Sequence, residues 1–384
     1  MPTALKTTAP VRVGVVGGGQ LARMMGEVAR EVNVELTVLA GSSDDSAIAT
    51  CEHFIVGEAT DQGALAQLSE VVDVITFDHE LLDLEAVANL ESRGSLVRPN
   101  ARALMYSVDK AHQRREFRRA GLAVPEFVIT RSPSDPALGE FLDRVGPVVV
   151  KQSRGGYDGR GVLFPSDRDE AIAMVDSLAM GGDVVVEQRL DLLGELAQVV
   201  VRGVDGECVA YPLVRTVQSN GMCVEVTFPA LVEPLMADEA QDVARRIAQL
   251  IGAVGVIAVE FFHTRNGLVV NEIALRPHNT GHWTIEGAAT SQFANHLLAV
   301  SGAPLGPADA LIGAAAMVNV VGSETPGSIE DARGVKGAYV HDYGKSWRPG
   351  RKLGHVTVVG DNLSAAHVRA WESARAYGTR TQEA

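Results

Sequence analysis

The stretch VVVKQSRGGYDGRGV, residues 148–162, governs how the rest of this chain is interpreted. Three consecutive valines predict a buried strand, and Lys151 stands where that strand ends. Four glycines follow, and because glycine has no Cβ its backbone N–H groups can lie against an anion. Lysine adds a mobile positive charge for phosphate. The pattern favours a glycine-rich loop over the phosphates of a nucleotide, and a charged surface turn between hairpin strands is the alternative. It is not a Walker A loop, since no Gly-Lys-Ser/Thr occurs.

The composition restricts the class of protein. A chain of 384 residues exceeds the usual size of one hydrophobic core, so two or three domains are expected. The net charge of −14 argues against nucleic acid or an anionic membrane as the main partner. The three cysteines lie far apart without a CxxC motif, which suits a reducing compartment and gives no zinc site. No apolar run reaches the roughly 18 residues of a membrane span. We therefore expect a cytoplasmic protein.

The N-terminal region combines a strand, a glycine turn and a helix. The apolar run Val11–Val16 ends in Gly-Gly-Gly-Gln-Leu-Ala, which matches GxGxxA and continues at helical spacing. A dinucleotide site would need an acid at the end of the next strand, Val34–Leu39, but that strand ends in Ala-Gly. We therefore predict an anion or ligand site at the helix N-terminus and no NAD site.

A further predicted strand, Val72–Phe77, is followed by Asp78-His79-Glu80 at the edge where open α/β sheets bind ligands. The pattern leaves open whether Glu80 contacts a substrate or is only a first-turn acid of the next helix. A long helix is predicted from Ala101 onward, and its basic residues are typical of a solvated face. Those residues are Lys110, Arg114, Arg115, Arg118 and Arg119, and Lys110 is the exception for which a functional role is considered.

A predicted hairpin carries acids in matched places. Its strands, Val254–Phe262 and Leu268–Ile273, are joined by a turn containing Asn-Gly, a strong hairpin signal. Strands about 4.8 Å apart can direct Glu260, Asn271 and Glu272 into one volume. Two carboxylates and an amide with no basic partner nearby suit Mg²⁺ shared with a nucleotide. Solvent-facing acids are the alternative, but the first strand is apolar on both faces and a buried lone carboxylate is costly, which favours the metal.

Two basic segments follow the hairpin. Arg276 and His278 stand just beyond the acids, where a guanidinium would stabilise developing oxyanion charge. The segment KSWRPGRK, residues 345–352, either binds a substrate phosphate or is a solvated turn. Earlier in the chain we predict strands over Leu196–Arg202 and Glu207–Val214. The region after residue 306 is predicted to be β-rich to about Gly360, with a helical tail from Ser364.

Taken together, the motifs GGGQLARMM, KQSRGGYDGRG, NEIALRPHNTGHWT and RPGRKLGH closely resemble those of N5-carboxyaminoimidazole ribonucleotide synthetases, ATP-grasp ligases of purine synthesis. The resemblance extends from Gly14 to about Gly360. It implies an α/β ATP-grasp fold with a Rossmann-like pre-ATP-grasp domain at 1–105 and an ATP-grasp domain at 106–305. Within the latter, a lid subdomain covers about 125–185 and a larger subdomain about 186–305. A small β-rich domain follows at 306–384, and a homodimer is expected.

The activity implied by the resemblance has two steps. MgATP, or its Mn²⁺ equivalent, phosphorylates bicarbonate to carboxyphosphate, and the exocyclic amine of 5-aminoimidazole ribonucleotide then takes up the carboxyl group. The implied partners are these small molecules, with neither nucleic acid nor membrane. One alternative is another ATP-grasp purine ligase, such as formate-dependent glycinamide ribonucleotide transformylase. The other is a catalytically silent nucleotide-binding regulator.

The resemblance also implies roles for individual residues. Contacts to ATP are expected from Lys110, Lys151, Gly156, Tyr157, Asp158, Gly159, Arg160, Gly161, Val162, Glu187, Gln188, Arg189, Leu190, Glu195, Asn271 and Glu272. The metal ligands would be Glu260 and Glu272. The catalytic residues would be Tyr157, Asp158, Arg160, Arg276 and His278. The ribonucleotide would contact Gln20, Leu21, Glu80, Arg276, His278, Lys345, Arg351 and Lys352.

Overall fold

A computed structural model describes residues 9–156, 161–219 and 221–379 of the chain. The described strands form three sheets, and helices cover their faces. None of the described helices combines the length and apolar character that crossing a bilayer requires.

The N-terminal unit is a parallel sheet in the order β3-β2-β1-β4. Its elements are β1 (Val11–Val16), α1 (Gln20–Ala29), β2 (Val34–Ala40), β3 (His53–Val56), α2 (Gln62–Val71), β4 (Val74–Phe77) and α3 (Leu84–Ser92). The predicted strand, glycine turn and helix are confirmed. The short edge strand β3 was not predicted, because its Phe54 and Val56 are exposed and it therefore carries no buried pattern.

The predicted single helix after Ala101 is wrong, because the structure has α4 (Ala101–Val108) and α5 (Lys110–Arg119). Asp109 separates them with an extended backbone, at φ −123° and ψ 101°. Its carboxylate accepts a hydrogen bond from the His112 N–H at 3.0 Å and so caps α5. The same carboxylate also pairs with Arg154, which ties the start of α5 to the segment that follows Lys151.

A smaller antiparallel sheet, in the order β5-β8-β6-β7, contains the strand from which the sequence analysis started. Its elements are β5 (Phe127–Thr130), α6 (Pro136–Val145), β6 (Val148–Gln152), β7 (Val162–Leu163), α7 (Arg168–Ala179) and β8 (Val184–Gln188). The valines of β6 and β8 pack against α6 and α7 in a separate hydrophobic core. The glycine-rich segment therefore connects two paired strands, β6 and β7, and residues 157–160 of it lie outside the described ranges.

The largest sheet has the order β14-β13-β9-β11-β12-β15-β17-β16, with β10 beside β9. Its elements are β9 (Gly194–Arg202), β10 (Cys208–Ala210), β11 (Val214–Ser219), β12 (Met222–Phe228), α8 (Pro234–Ile251), β13 (Gly255–Thr264), β14 (Gly267–Ala274), α9 (Thr284–Gly287), α10 (Gln292–Ser301), β15 (Ala314–Val321), α11 (Ile329–Gly334), β16 (Ala338–Asp342), β17 (Lys352–Gly360) and α12 (Leu363–Tyr377). The strand predicted over Glu207–Val214 is wrong, because Pro212 lacks an N–H group and the chain instead forms β10 and β11.

The C-terminal strands extend the same sheet, since β15 pairs with β12. The prediction of a β-rich region followed by a helical tail is confirmed. The domain boundaries stay a prediction.

Helix α10 joins the N-terminal unit to the large sheet. Phe293 is fully buried and lies with Leu297 and Val300 in one core with residues of α1, including Leu21 and Met25. This apolar contact positions the glycine turn at the start of α1 relative to the loop after β14.

We expect Phe293→Ala to lower the free energy of unfolding by about 3–5 kcal/mol, because it empties a fully buried aromatic site between two units. The matched control is Phe54→Ala, whose ring is 47% exposed and should cost less than about 1 kcal/mol. Urea unfolding of the three proteins checks this, and equal losses for both variants would contradict the packing described here.

Candidate active site

The two candidate metal ligands face each other across the hairpin formed by β13 and β14. Glu260 and Glu272 are directly opposite in the antiparallel register. Burial and then the adjacent Glu272 raise the pKa of Glu260 well above its usual value. A divalent cation would relieve the repulsion between the two groups. Within the described ranges no group of three or more His, Cys, Asp or Glu side chains forms a metal centre, but Mg²⁺ commonly takes only one or two protein carboxylates alongside phosphates and water.

The expectation that these acids lack a basic partner is wrong. Lys110 Nζ lies 3.0 Å from Glu272 Oε2. Glu272 keeps 46% of its side chain exposed, and the positive charge of Lys110 holds the pKa of that carboxylate well below its usual value. The two residues are 162 positions apart, so that no local spacing in the sequence could indicate the pair.

A buried charge cluster lies beside the hairpin. Glu187 at the end of β8 accepts from Arg114 Nε at 2.5 Å and pairs with Lys151 Nζ at 2.7 Å. Burial disfavours its charge, but the two cations outweigh that effect and hold the pKa of Glu187 at about 2. Arg114 also donates to the backbone carbonyl of Asn271 at 2.5 Å, and the Asn271 side chain lies 3.5 Å from Lys151. Lys151 is thereby held between the small sheet and the hairpin.

Arg114 is a site residue that the sequence analysis assigned to a solvated face, and that assignment is wrong. Its side chain is only 1% exposed. The sequence contains a signal for this burial, because the apolar residues Ala111 and Phe117 stand three positions before and after Arg114. The structure buries both of them completely. An arginine in the middle of such an apolar stripe points inward, and a buried guanidinium requires an acidic partner.

The loop after β14 meets the N-terminal unit. Arg276 Nε lies 2.7 Å from Glu80 Oε2, and both side chains are only about one-fifth exposed. The structure therefore brings these two predicted site residues into contact, and their shared role stays a prediction. His278 Nε2 lies 3.7 Å from Glu260 Oε1, and its Nδ1 lies 2.9 Å from Thr280 Oγ1. Burial and then Arg276 lower the pKa of His278 to about 3, so that the ring is neutral at physiological pH.

The glycine turn at the start of α1 is occupied by a side chain of the protein itself. Asp78 Oδ2 accepts from the Gly19 N–H at 2.7 Å, and a Cβ on Gly17 would lie 1.7 Å from Asp78 Oδ1. The turn therefore requires glycine because the Asp78 carboxylate occupies that space. The structure places the Asp78 carboxyl group at this helix N-terminus, where an anion or ligand site was predicted, and burial raises the pKa of that group. Sequence alone could not distinguish an internal carboxyl group from a ligand.

Lys345 connects the C-terminal segment to this turn. Its Nζ donates to Gln20 Oε1 at 2.6 Å across 325 positions of sequence. Burial, then the positive charges of Arg351 and Lys352, lower the pKa of Lys345 to about 8. Arg351 donates to Ser346 within the same segment. The predicted phosphate-binding segment thus contacts Gln20 through Lys345, while Ser346 and residues 348–350 are exposed.

The remaining predicted site residues lie in different environments. Leu21 is 6% exposed and belongs to the hydrophobic core, so its side chain does not line the site as predicted. Gly161 accepts from the Gln152 N–H at 2.9 Å at the start of β7. Burial raises the pKa of Glu195, which pairs in register with Phe262. Tyr157, Asp158, Gly159 and Arg160 lie outside the described residues.

Comparison with protein families first defines the class. The ribonucleotide synthetase preATP-grasp domain matches residues 11–107, and the ATP-grasp domain matches residues 115–293. The phosphoribosylaminoimidazole carboxylase C-terminal domain matches residues 315–369. With the fold described above, these matches make the chain an ATP-grasp protein. The fold class predicted from sequence is confirmed.

Individual relatives define the family more closely. The chain is 42% identical over 380 residues to the N5-carboxyaminoimidazole ribonucleotide synthase of Mycobacterium tuberculosis H37Rv, covering 96% of this chain and 88% of the relative. The crystal structure of the Thermus thermophilus synthetase has a TM-score of 0.87 at 35% identity, covering 97% and 100% of the two chains. The chain belongs to the N5-carboxyaminoimidazole ribonucleotide synthase family, as its motifs predicted.

One similar structure contains ligands. The Aspergillus clavatus synthase was solved with ADP and 5-aminoimidazole ribonucleotide, and it has a TM-score of 0.85 at 30% identity, covering 96% of this chain and 99% of that one.

Replacing Arg114 by methionine should cost about 3 kcal/mol of unfolding free energy, because it leaves the buried Glu187 carboxylate with one cation. Arg115→Met is the matched control, since Arg115 is 54% exposed and pairs with Asp183 at 3.5 Å. That change should stay within about 0.5 kcal/mol. Chemical denaturation measures both, and a loss below about 1 kcal/mol for the Arg114 variant would show that the cluster contributes little to stability.

Proposed function

We propose that this chain carboxylates 5-aminoimidazole ribonucleotide with bicarbonate, using ATP and yielding N5-carboxyaminoimidazole ribonucleotide, ADP and phosphate. The γ-phosphoryl group of ATP passes to bicarbonate to give carboxyphosphate, and the exocyclic amine takes up the carboxyl group as phosphate leaves. The observation that carries the proposal is the pair of opposed carboxylates, Glu260 and Glu272, beside the cations Lys110 and Lys151. Family membership supports the choice of substrates.

The donor set fits MgATP. Bound magnesium supplies charge neutralisation at the phosphate oxygens, and Glu260 and Glu272 are the residues that would hold it. Glu260 is buried beside a second carboxylate, and such a group favours a nearby cation. Lys110 now pairs with Glu272, and its flexible side chain can turn to a phosphate. Lys151 is already held near Asn271.

The adenosine end of the nucleotide would lie along Glu187–Leu190. The Glu187 carboxylate is fully engaged by Arg114 and Lys151, so any contact from this residue falls to its main chain. Glu195, half-buried at the start of β9, would accept from the ribose hydroxyls. The glycine-rich segment from Gly156 to Val162 would cover the phosphates and exclude water, which carboxyphosphate requires because it hydrolyses readily.

The reacting end of the site is defined by the loop after β14. Arg276 would stabilise the charge that develops on carboxyphosphate, and Glu80 holds its guanidinium in place. His278 is neutral, so it can donate one hydrogen bond and accept another without adding charge beside Glu260. Tyr157, Asp158 and Arg160 would approach from the covering loop. Catalysis by these groups is mainly positioning and charge stabilisation, as in other phosphoryl transfers.

The ribonucleotide would occupy the junction of the N-terminal unit and the C-terminal segment. Gln20 and Lys345 are in contact there, and Arg351 and Lys352 supply further positive charge for a 5′-phosphate. Leu21 would contribute only through its backbone, since its side chain is in the core. A homodimer and a cytoplasmic location, which the resemblance and the composition predict, stay predictions.

The decisive assay measures phosphate release by the purified chain with ATP and one of two substrate pairs. Bicarbonate with aminoimidazole ribonucleotide should support turnover, and formate with glycinamide ribonucleotide should not. Turnover with the formate pair alone would establish the transformylase alternative. ATP binding without any substrate-dependent turnover would establish the silent regulator.

Glu272→Gln removes one negative charge from the proposed metal pair while keeping the side chain's size. Turnover should fall by about 100-fold or more, and a higher Mg²⁺ concentration should be needed for half-maximal rate. Glu207→Gln, at an exposed position in another hairpin, should leave both quantities unchanged. Steady-state kinetics across a Mg²⁺ titration gives the answer, and a normal Mg²⁺ requirement in the Glu272 variant would remove it from the metal site.

The low pKa of Lys345 predicts an alkaline limit for ribonucleotide binding. The lysine is charged well below pH 8 and loses its proton as the pH rises through about 8. The value of kcat/KM for the ribonucleotide should therefore decline above pH 8. Lys345→Met should lower kcat/KM about 10- to 100-fold at neutral pH and remove this decline, whereas the exposed control Lys336→Met should retain the wild-type profile. If kcat/KM still declined above pH 8 in the Lys345 variant, another group would be responsible for the decline.

A further inference from the structure

Gln292, at the start of α10, binds the backbone of His278 in both directions. The His278 N–H donates to Gln292 Oε1 at 2.9 Å, and Gln292 Nε2 donates to the His278 carbonyl at 2.7 Å. A side-chain amide presents one acceptor and two donors in a plane, as a peptide group of a neighbouring strand would. Because His278 is extended, at φ −124° and ψ 153°, this pairing resembles one step of a β-ladder.

The remaining donor of the amide is also used. Gln292 Nε2 lies 3.1 Å from Nδ1 of His282, a ring that is 1% exposed. Burial keeps the pKa of His282 well below its usual value, so the ring is neutral and its Nδ1 can accept from the amide. The orientation of the Gln292 amide is therefore determined by its partners, since a reversed amide would place its NH₂ group against the His278 N–H.

The surrounding loop is shaped to admit this side chain. Gln292 is fully buried, and a Cβ on Gly281 would lie 2.3 Å from Gln292 Oε1. Thr284 Oγ1 accepts from the Gln292 N–H at 2.9 Å and donates to the Gly281 carbonyl at 2.6 Å. A buried N–H without a partner is costly, and Gln292 Oε1 is the acceptor for the His278 N–H, whereas the His278 carbonyl also accepts from the Gly281 N–H at 2.9 Å.

We propose that Gln292 is a positioning residue for the carboxylation, which holds the backbone of His278 so that its ring lies between Glu260 and Thr280. This inference rests on the proposed function, in which His278 contacts the reacting groups. Gln292 itself contacts no substrate. Without it, the His278 carbonyl would keep only its bond from the Gly281 N–H, and the backbone of His278 would lose its connection to α10. Catalytic groups that move by even about 1 Å lose much of their effect on the rate.

The first test is a double-mutant cycle on turnover. Gln292→Met keeps the length and buried volume of the side chain and removes all three hydrogen bonds. We expect kcat to fall about 30-fold with the KM for ATP unchanged, because the nucleotide contacts lie elsewhere. In a His278→Ala background the same change should lower kcat less than about 3-fold, because the residue acts through His278. A loss of about 30-fold in both backgrounds would overturn the proposal.

The matched control is Gln198→Met. Gln198 is also a buried glutamine, 1% exposed, whose Nε2 donates to the carbonyls of Tyr211 at 2.5 Å and Val199 at 3.2 Å. It should lower the thermal midpoint about as much as Gln292→Met while leaving kcat within about 2-fold of the wild type. Equal losses of kcat in the two variants would show that Gln292→Met acts through general stability alone, which would overturn the proposal.

A second measurement on the unaltered chain covers the case in which Gln292→Met does not fold. Hydrogen exchange of the His278 amide, followed by NMR, should be slowed at least about 100-fold relative to an unstructured peptide. Exchange at the unprotected rate would show that the pairing is absent in solution and would overturn the proposal. Failure of the proposed function is distinguishable, since it would leave this protection intact while the wild-type chain showed no turnover of the ribonucleotide.

Discussion

The structure depends on a single buried carboxylate that requires two cations. Glu187 is 2% exposed, and a charge removed from water to this extent is tolerated only with close partners. Arg114 from α5 and Lys151 from β6 supply them, and Arg114 also binds the Asn271 backbone of β14. Four elements, α5, β6, β8 and β14, must therefore meet at one point. Their meeting brings the small sheet against the hairpin and places Lys151 beside Asn271.

A second set of contacts joins the N-terminal unit to the loop after β14 and to the C-terminal segment. Asp78 fills the glycine turn at the start of α1, and the next residue after that turn, Gln20, accepts from Lys345 of the C-terminal segment. Arg276 reaches across from the large sheet to Glu80. The candidate site thus has acids and lysines at the hairpin and a basic region at the junction of the terminal units. This distribution of charge suits a metal-bound triphosphate at one end and a phosphorylated substrate at the other.

The parts of the site that were predictable from sequence are those with local signals. The hairpin acids follow from an Asn-Gly turn and two apolar strands, and Lys151 follows from a valine run before glycines. The misassignments concern contacts between distant positions. Whether Arg114 faces solvent depends on Glu187, 73 positions away, and whether Glu272 has a basic partner depends on Lys110, 162 positions away. Gln292 had no signal, because a glutamine that binds a backbone looks like any first-turn polar residue.

The break at Asp109 shows how a local misinterpretation affects the site. A single helix through residue 109 would be a reasonable inference from composition, but the Asp109 carboxylate is a better N-cap than a helix-interior residue. In the structure a new helix begins at Lys110. Lys110 then reaches Glu272, and the N–H of the neighbouring Ala111 donates to the Ser153 hydroxyl. The sequence contains this N-cap signal, and it was outweighed by the length of the helical pattern.

The central claim is that the hairpin acids and Lys151 converge on one metal-bound triphosphate. It is tested most directly by a crystal structure with a non-hydrolysable ATP analogue and Mn²⁺, with the ion located by its anomalous scattering. The account predicts one manganese peak bound by Glu260 and Glu272, with Lys151 within hydrogen-bonding distance of a phosphate oxygen. A manganese peak away from both carboxylates, or phosphates bound without Lys151, would contradict it.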